Sequence, residues 1–210
     1  STSIPDDCDL LIMNGPTSDL TDDEIKVLQN YMNNGGKIIC LLAYTDKSMG
    51  HLYGFLKDYG MTVSDGYIAD TERCYQGNYY YLIPNVTASG DMASGMTSNS
   101  VLLVNSKGLT VSDPDDDSIT TESFMTTSKN GYDITEKGQT QGTYTLGATA
   151  EQTVSVKNKD GDEEDTESRL TVYGSNMLID EQLTSSFSNL EKHCRMEKIG
   201  VKQSLFYHQS

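Results

Sequence analysis

Apolar residues in this chain fall into short runs parted by polar turns, and the first such series sets a clear order. Cys8 to Tyr44, CDLLIMNGPTSDLTDDEIKVLQNYMNNGGKIICLLAY, reads as strand, loop, helix, turn, strand. Asp9 to Met13 is a short apolar run of the kind buried in a parallel sheet. Asn14-Gly15-Pro16 breaks it. Thr21-Asp22-Asp23-Glu24 fits a capping box, in which the Thr21 hydroxyl accepts from the Glu24 amide and the Glu24 carboxylate from the Thr21 amide. Leu20 and Ile25 are placed to close over that cap as a hydrophobic staple. Ile25, Leu28 and Met32 form a stripe at helical spacing, flanked by Tyr31. Asn33-Asn34-Gly35-Gly36 ends the helix, since glycine takes the left-handed conformation without steric cost. Lys37 to Leu42 is a second buried strand, so the unit predicts a right-handed crossover and parallel pairing.

Further along, Asp46 or Ser48 is positioned to cap a second helix, whose apolar face is Met49, Leu52, Phe55, Leu56 and Tyr59. Gly60 stops it, and Met61-Thr62-Val63 is a short strand. This reads as a second βαβ half and predicts a doubly wound sheet. Strand pieces follow at Gly66 to Ala69 and Tyr79 to Ile83, then a Ser- and Gly-rich loop over Thr87 to Asn99. Val101 to Val104 is a strand, and Leu109 to Ser112 an edge. Asp113-Pro114 begins an acidic turn that proline keeps out of a strand, and Thr120 to Thr127 is strand-like. Lys129 to Gln141 is polar and predicts a surface excursion. Tyr144 to Thr149 and Thr153 to Val156 read as two strand pieces. Asp160-Gly161, set between Val154 to Val156 and Leu170 to Tyr173, signals a β-hairpin. A last helix is expected from Asp180 to Glu197, carrying Leu183, Phe187, Leu190 and Cys194.

Composition narrows the class. The chain has 210 residues, enough for one substantial core, so a single domain over 1–210 is the default. No run approaches the roughly 18 apolar residues of a membrane helix. The opening Ser1-Thr2-Ser3-Ile4-Pro5 carries no signal-peptide pattern and is expected of a piece of a longer chain. A formal charge of -16 argues against nucleic acid, because no basic stripe exists to offset phosphates, and against anionic head groups. Cys8, Cys40, Cys74 and Cys194 form no C-x-x-C pair, and they leave the redox compartment open.

The segment IPDDCDLLIMNGPTSDLTDDEIKVLQNYMNNGGKIICLL resembles the gliding-motility GldG family, the auxiliary component of an uncharacterised ABC-type transport system. The likeness continues in Thr126-Thr127-Ser128, in GTYTLGATA (Gly142 to Ala150) and in SRLTVYGS (Ser168 to Ser175). It implies a Rossmann-like fold related to amidotransferase-like domains, lying outside the membrane and anchored to it by segments beyond this sequence. It also implies ABC ATPase and permease subunits as partners, and no catalysis.

This kinship makes a cysteine nucleophile the first chemistry in question. An amidotransferase-like nucleophile needs a cysteine on a sharp strand-to-helix turn among small residues. Cys40 instead lies inside Ile38-Ile39-Cys40-Leu41-Leu42, where burial keeps a thiol protonated. His51, His193 and His208 are the histidines. His193 neighbours Cys194 on a predicted helix, and adjacent helix positions do not face each other. Asp160, Asp162 and Glu164 alternate as calcium ligands do, but the glycine stands at the wrong offset and no closing glutamate follows. No metal and no cofactor are expected. Tyr79-Tyr80-Tyr81 offers an aromatic platform on which Tyr79 and Tyr81 share a face. Asn14 to Ser18 lacks both G-x-G-x-x-G and G-K-[ST]. In α/β sheets the ligand crevice lies at the carboxyl ends of the strands. That places Asn14, Gly15, Pro16, Thr17 and Ser18, with Tyr44, Thr45 and Asp46, at any ligand site.

The sequence therefore predicts a Rossmann- or flavodoxin-like three-layer α/β fold, its sheet mainly parallel with an antiparallel hairpin in the second half. The expected function is a non-catalytic extracytoplasmic auxiliary of an ABC-type transport system that contacts a partner or ligand. The alternatives are a carbohydrate- or peptide-binding module and a degenerate amidotransferase-like hydrolase.

Overall fold

The computed structural model describes residues 3–87 and 101–179. The first part runs β1 (Leu11–Asn14), α1 (Asp22–Asn33), β2 (Lys37–Leu41), α2 (Gly50–Asp58) and β3 (Met61–Val63). Short strands follow: β4 (Tyr67–Asp70), β5 (Cys74–Tyr75), β6 (Asn78–Leu82), β7 (Asn85–Val86), β8 (Leu102–Val104) and β9 (Leu109–Val111). The last part holds β10 (Ile119–Thr126), β11 (Gly131–Thr135), β12 (Gly138–Gly142), β13 (Thr145–Lys157), β14 (Glu163–Tyr173) and β15 (Leu178–Ile179).

The βαβ unit forms as its residues dictate. The Thr21 N–H donates to Glu24 Oε2 at 2.8 Å and the Glu24 N–H to Thr21 Oγ1 at 3.3 Å, so the capping box is closed. Leu28 and Met32 are buried beneath α1, and Gly35 takes φ +82° just past its end. β1 and β2 pair in parallel, with Leu11 opposite Ile38 and Met13 opposite Cys40.

The Rossmann- or flavodoxin-like architecture is not what the chain builds. Of the described residues 45% lie in strands and 13% in helix, the latter in just two helices. The main sheet has the order β1-β2-β14-β13-β10-β7, with β9 beside β13 and β3 beside β9. Only β1–β2 and β2–β14 are parallel; β14–β13, β13–β10, β10–β7, β13–β9 and β9–β3 are antiparallel. β3, expected as the next parallel strand, pairs antiparallel with β9 instead. The place beside β2 belongs to β14, from far along the chain.

Alternation along the strands shows why the apolar run misled. Ile38, Cys40, Leu170 and Val172 point to one face, where they meet Leu28, Met32, Leu52 and Phe55 of the two helices. Ile39, Leu41 and Tyr173 point to the other face, against Ile68, Leu82 and Leu103. These come from a three-stranded sheet, β12-β11-β4, and a four-stranded one, β15-β8-β6-β5. A continuous apolar strand requires both faces to be covered, and β-structure covers the second face as well as helices would.

Other differences are local. Lys129 to Gln141 is no loose excursion: β11 and β12 form a hairpin there, and β11 pairs with β4. The two pieces expected at Tyr144 to Thr149 and Thr153 to Val156 are one strand of 13 residues, β13. The Asp160-Gly161 turn is present, with Gly161 at φ +87° and the Asp160 and Asp162 N–H groups both donating to Asn158 Oδ1 at 3.0 Å. The loop expected over Thr87 to Asn99, from residue 88 on, and the helix expected from Asp180 to Glu197 lie outside the described residues.

One buried carboxylate joins the layers. Asp70, 1% exposed at the end of β4, accepts from the Ser128 N–H at 2.7 Å and the Ser128 hydroxyl at 2.8 Å. The N–H groups of Glu72 and Arg73 add bonds of 2.9 and 3.0 Å. Burial alone would raise its pKa, but these donors outweigh burial and hold it below the usual carboxylate value.

Candidate functional site: the carboxyl edge of the parallel strands

Parallel pairing brings the loops after β1, β2 and β14 to one edge of the main sheet. The Gly15 N–H donates to Leu41 O at 2.8 Å, the Leu42 N–H to Tyr173 O at 3.0 Å and the Asn176 N–H to Leu42 O at 2.8 Å. Gly15 has φ +61°, and a Cβ there would run into the Asn176 side chain, so only glycine fits this crossing. Asn14 is half-buried, and its Oδ1 is buried without a hydrogen-bond partner. Pro16 is buried, Thr17 half-buried and Ser18 exposed. Next to them, Asp19 caps α2 from a distance: it accepts from the His51 N–H at 2.9 Å and the Leu52 N–H at 3.0 Å. Neither Asp46 nor Ser48, the caps expected from sequence, fills this role; the N-cap position is Met49, with no side-chain bond. Burial opposes ionisation of Asp19, yet the donors from His51, Leu52 and Leu20 hold its pKa below the ordinary value. His51 Nδ1 lies 2.9 Å from Asp19 and its Nε2 3.3 Å from Asp22.

The second predicted loop is the more distinctive. Tyr44 is 61% exposed. Its ring stacks on Tyr67 at 4.8 Å between centroids, tilted by 44°. The Tyr67 hydroxyl donates to Thr45 O at 2.9 Å and accepts from the Thr45 N–H at 3.0 Å, which pins the backbone just after Tyr44. The Lys47 N–H donates to Thr45 Oγ1 at 3.1 Å, and Asp46 is exposed. Lys107 lies over the Tyr67 ring, its Nζ 4.5 Å from the centroid. The Lys107 ammonium donates to Ser64 O at 3.2 Å and Asp65 O at 2.8 Å. Desolvation lowers its pKa, while Asp133 and Asp65 pull the other way. The Asp133 carboxyl is itself raised, chiefly by burial.

The structure thus brings Asn14 to Ser18 and Tyr44 to Asp46 to the same edge. Sequence reasoning missed Tyr67, Lys107, Asn176 and the reach of Asp19. Lys107 carried a faint signal, being a lone cation between the apolar runs Val101 to Val104 and Leu109 to Val111; Tyr67 carried none. Cys40 is fully buried, and burial pushes its thiol up to about 12. An open hollow of about 1160 Å³ lies elsewhere, where β2 begins, lined by Pro5, Tyr31, Asn34, Lys37 and Thr166 among others. Neither predicted loop lines it. There the Tyr31 hydroxyl lies 3.1 Å from Cys8 O and 3.2 Å from Lys37 O.

No family model matches the chain, and no curated protein matches it. Among solved structures, the chain is similar to the mmIFT52 N-terminal domain, with 17% identity, a TM-score of 0.51 and coverage of 90% of this chain and 79% of that one. At this identity the likeness is one of fold.

Proposed function

We propose that this chain is a recognition domain with no chemistry of its own, serving outside the membrane as the auxiliary component of an ABC-type transport assembly. One observation supports recognition: Tyr44 is held out to solvent by a pinned loop at the carboxyl edge, while the Cys40 thiol is sealed inside the sheet. The order of the GldG-like segments, from Ile4-Pro5 to Ser175, supports the transport setting. In that setting an ABC ATPase supplies the energy and a permease the path, and this domain contacts one of them or a ligand.

The test is to tag the parent protein in its own host, solubilise membranes gently and identify what co-purifies. An ATPase and a multi-span permease in comparable amounts support the reading; the protein recovered alone, or in the soluble fraction, removes the transport setting. A second reading is a carbohydrate- or peptide-binding module. It is favoured by Tyr79 and Tyr81, 51% and 37% exposed on one face of β6, with Tyr75 on β5 46% exposed. Quenching of tyrosine fluorescence by a ligand panel, lost on Tyr79→Ala, is its expected mark.

A further inference from the structure

We propose that the Tyr44–Asp46 corner is a docking point for an arginine side chain on a basic segment of a partner protein. This rests on the recognition reading above for the choice of edge, and not on the transport setting. Tyr44 is 61% exposed, yet it is not a loosely held surface side chain. Its ring is backed by Tyr67 at 4.8 Å. Both the N–H and the carbonyl of Thr45 are bonded to the Tyr67 hydroxyl, at 3.0 and 2.9 Å. The backbone next to the ring is therefore fixed before any partner arrives, which lowers the cost of ordering this loop on binding. Exposed, preorganised tyrosines are the kind of residue that anchors interfaces.

Charge selects the occupant. Of the two lysines at this corner, Lys47 is exposed and directly follows Asp46, whose charge offsets it, while Lys107 is 6% exposed and already occupied by the carbonyls of Ser64 and Asp65 and by the Tyr67 ring. Lys107 offers an incoming anion nothing. Asp46 is exposed two residues after Tyr44, on the loop pinned by the Tyr67 hydroxyl. The chain as a whole carries -16, a field that attracts basic partners and repels phosphates and carboxylates. A guanidinium satisfies both features at once, stacking its plane on the ring and forking its N–H groups onto the carboxylate. An ammonium has the charge but neither the plane nor the fork.

The experiment titrates the 210-residue chain with Ac-Gly-Arg-Gly-Arg-Gly-NH2, and separately with the same peptide carrying lysine for arginine. Binding is followed at low salt by NMR shifts of the Tyr44 and Thr45 amides. The expected result is saturable binding of the arginine peptide, weaker binding of the lysine peptide, and a loss of about two- to fivefold on Tyr44→Ala and again on Asp46→Asn. Glu164→Gln, the same loss of charge near the exposed start of β14, binds as the unaltered chain does. Circular dichroism shows that each variant is folded, and Asp46→Asn stands as a second probe should Tyr44→Ala disturb the loop. Equal binding of the two peptides, or full affinity in both variants, overturns the proposal. A failed co-purification with this result intact discards the transport setting alone; a failed titration discards the arginine site and leaves that setting standing.

Discussion

The two faces of the main sheet are covered by different means. One lies under α1 and α2, both contributed by the first sixty residues and packed on Ile38, Cys40, Leu170 and Val172. The other lies under short antiparallel strands drawn from scattered segments, with Ile68, Leu82 and Leu103 packed on Ile39, Leu41 and Tyr173. The helix side is built largely from local signals, the α1 cap, the apolar stripes and the glycine stops, with the cap of α2 supplied from a distance by Asp19. The strand side exists only because distant segments find each other. Apolar burial is equally complete on both, with Leu170 and Leu103 each at 0% exposure. Local legibility and packing quality are therefore separate properties.

The strongest way to break this arrangement is at the joint between the faces. A Cβ at Gly174 would overlap the Lys107 carbonyl and Ser106 Oγ, and the Lys107 N–H donates to Gly174 O at 2.7 Å. Gly174→Ala should cost about 3 kcal/mol or more, read from urea unfolding. Next in size, Leu170→Ala and Leu103→Ala should each cost about 3 kcal/mol. A clearly smaller loss for Leu103, or non-coincident unfolding curves, would mean that the strand side opens separately from the helix side.

Asp70→Ala should cost about 2–3 kcal/mol, because the Ser128, Glu72 and Arg73 donors lose their acceptor. Asp70 and Asp19 both have folded-state pKa values below the usual one. Their contribution is thus complete above the unfolded value of about 3.9 and is lost as pH falls below it. The slope of stability between about pH 4 and 2 should flatten in the Asp70→Ala variant.

Smaller effects compare a local cap with a tertiary one. Thr21→Ala and Asp19→Ala should each cost about 1 kcal/mol. The Asp19 variant alone should also loosen the contact between the β1–α1 loop and α2, seen as faster amide exchange at His51 and Leu52. Cys40 should react with a thiol reagent only on unfolding; rapid labelling of the native chain would revive the hydrolase alternative.

Much of the site was legible because it depends on polarity of strand direction. Two strands joined through a helix run parallel, so the loops after Met13 and Leu42 had to share an edge whatever covered the sheet. The platform was not legible. Tyr67 reaches Thr45 across 22 residues, and Lys107 reaches Ser64 and Asp65 across more than 40. Nothing in local spacing encodes such meetings. The cap of α2 failed for the same reason, since Asp19 lies 32 residues from His51.

By itself, the sequence determined the β1–α1–β2 unit, the stops at Gly35 and Gly60, the Asp160-Gly161 hairpin and the burial of Cys40. Each of these follows from backbone sterics or apolar period within a few residues. Only the tertiary structure decided that β14 takes the place beside β2, that β3 turns antiparallel onto β9, and that strands cover the second face. Those outcomes depend on which long-range pairing satisfies both the backbone hydrogen bonds and the apolar surface of Ile39, Leu41 and Tyr173. A hydrophobic pattern states that such a surface must be covered. It does not state by what.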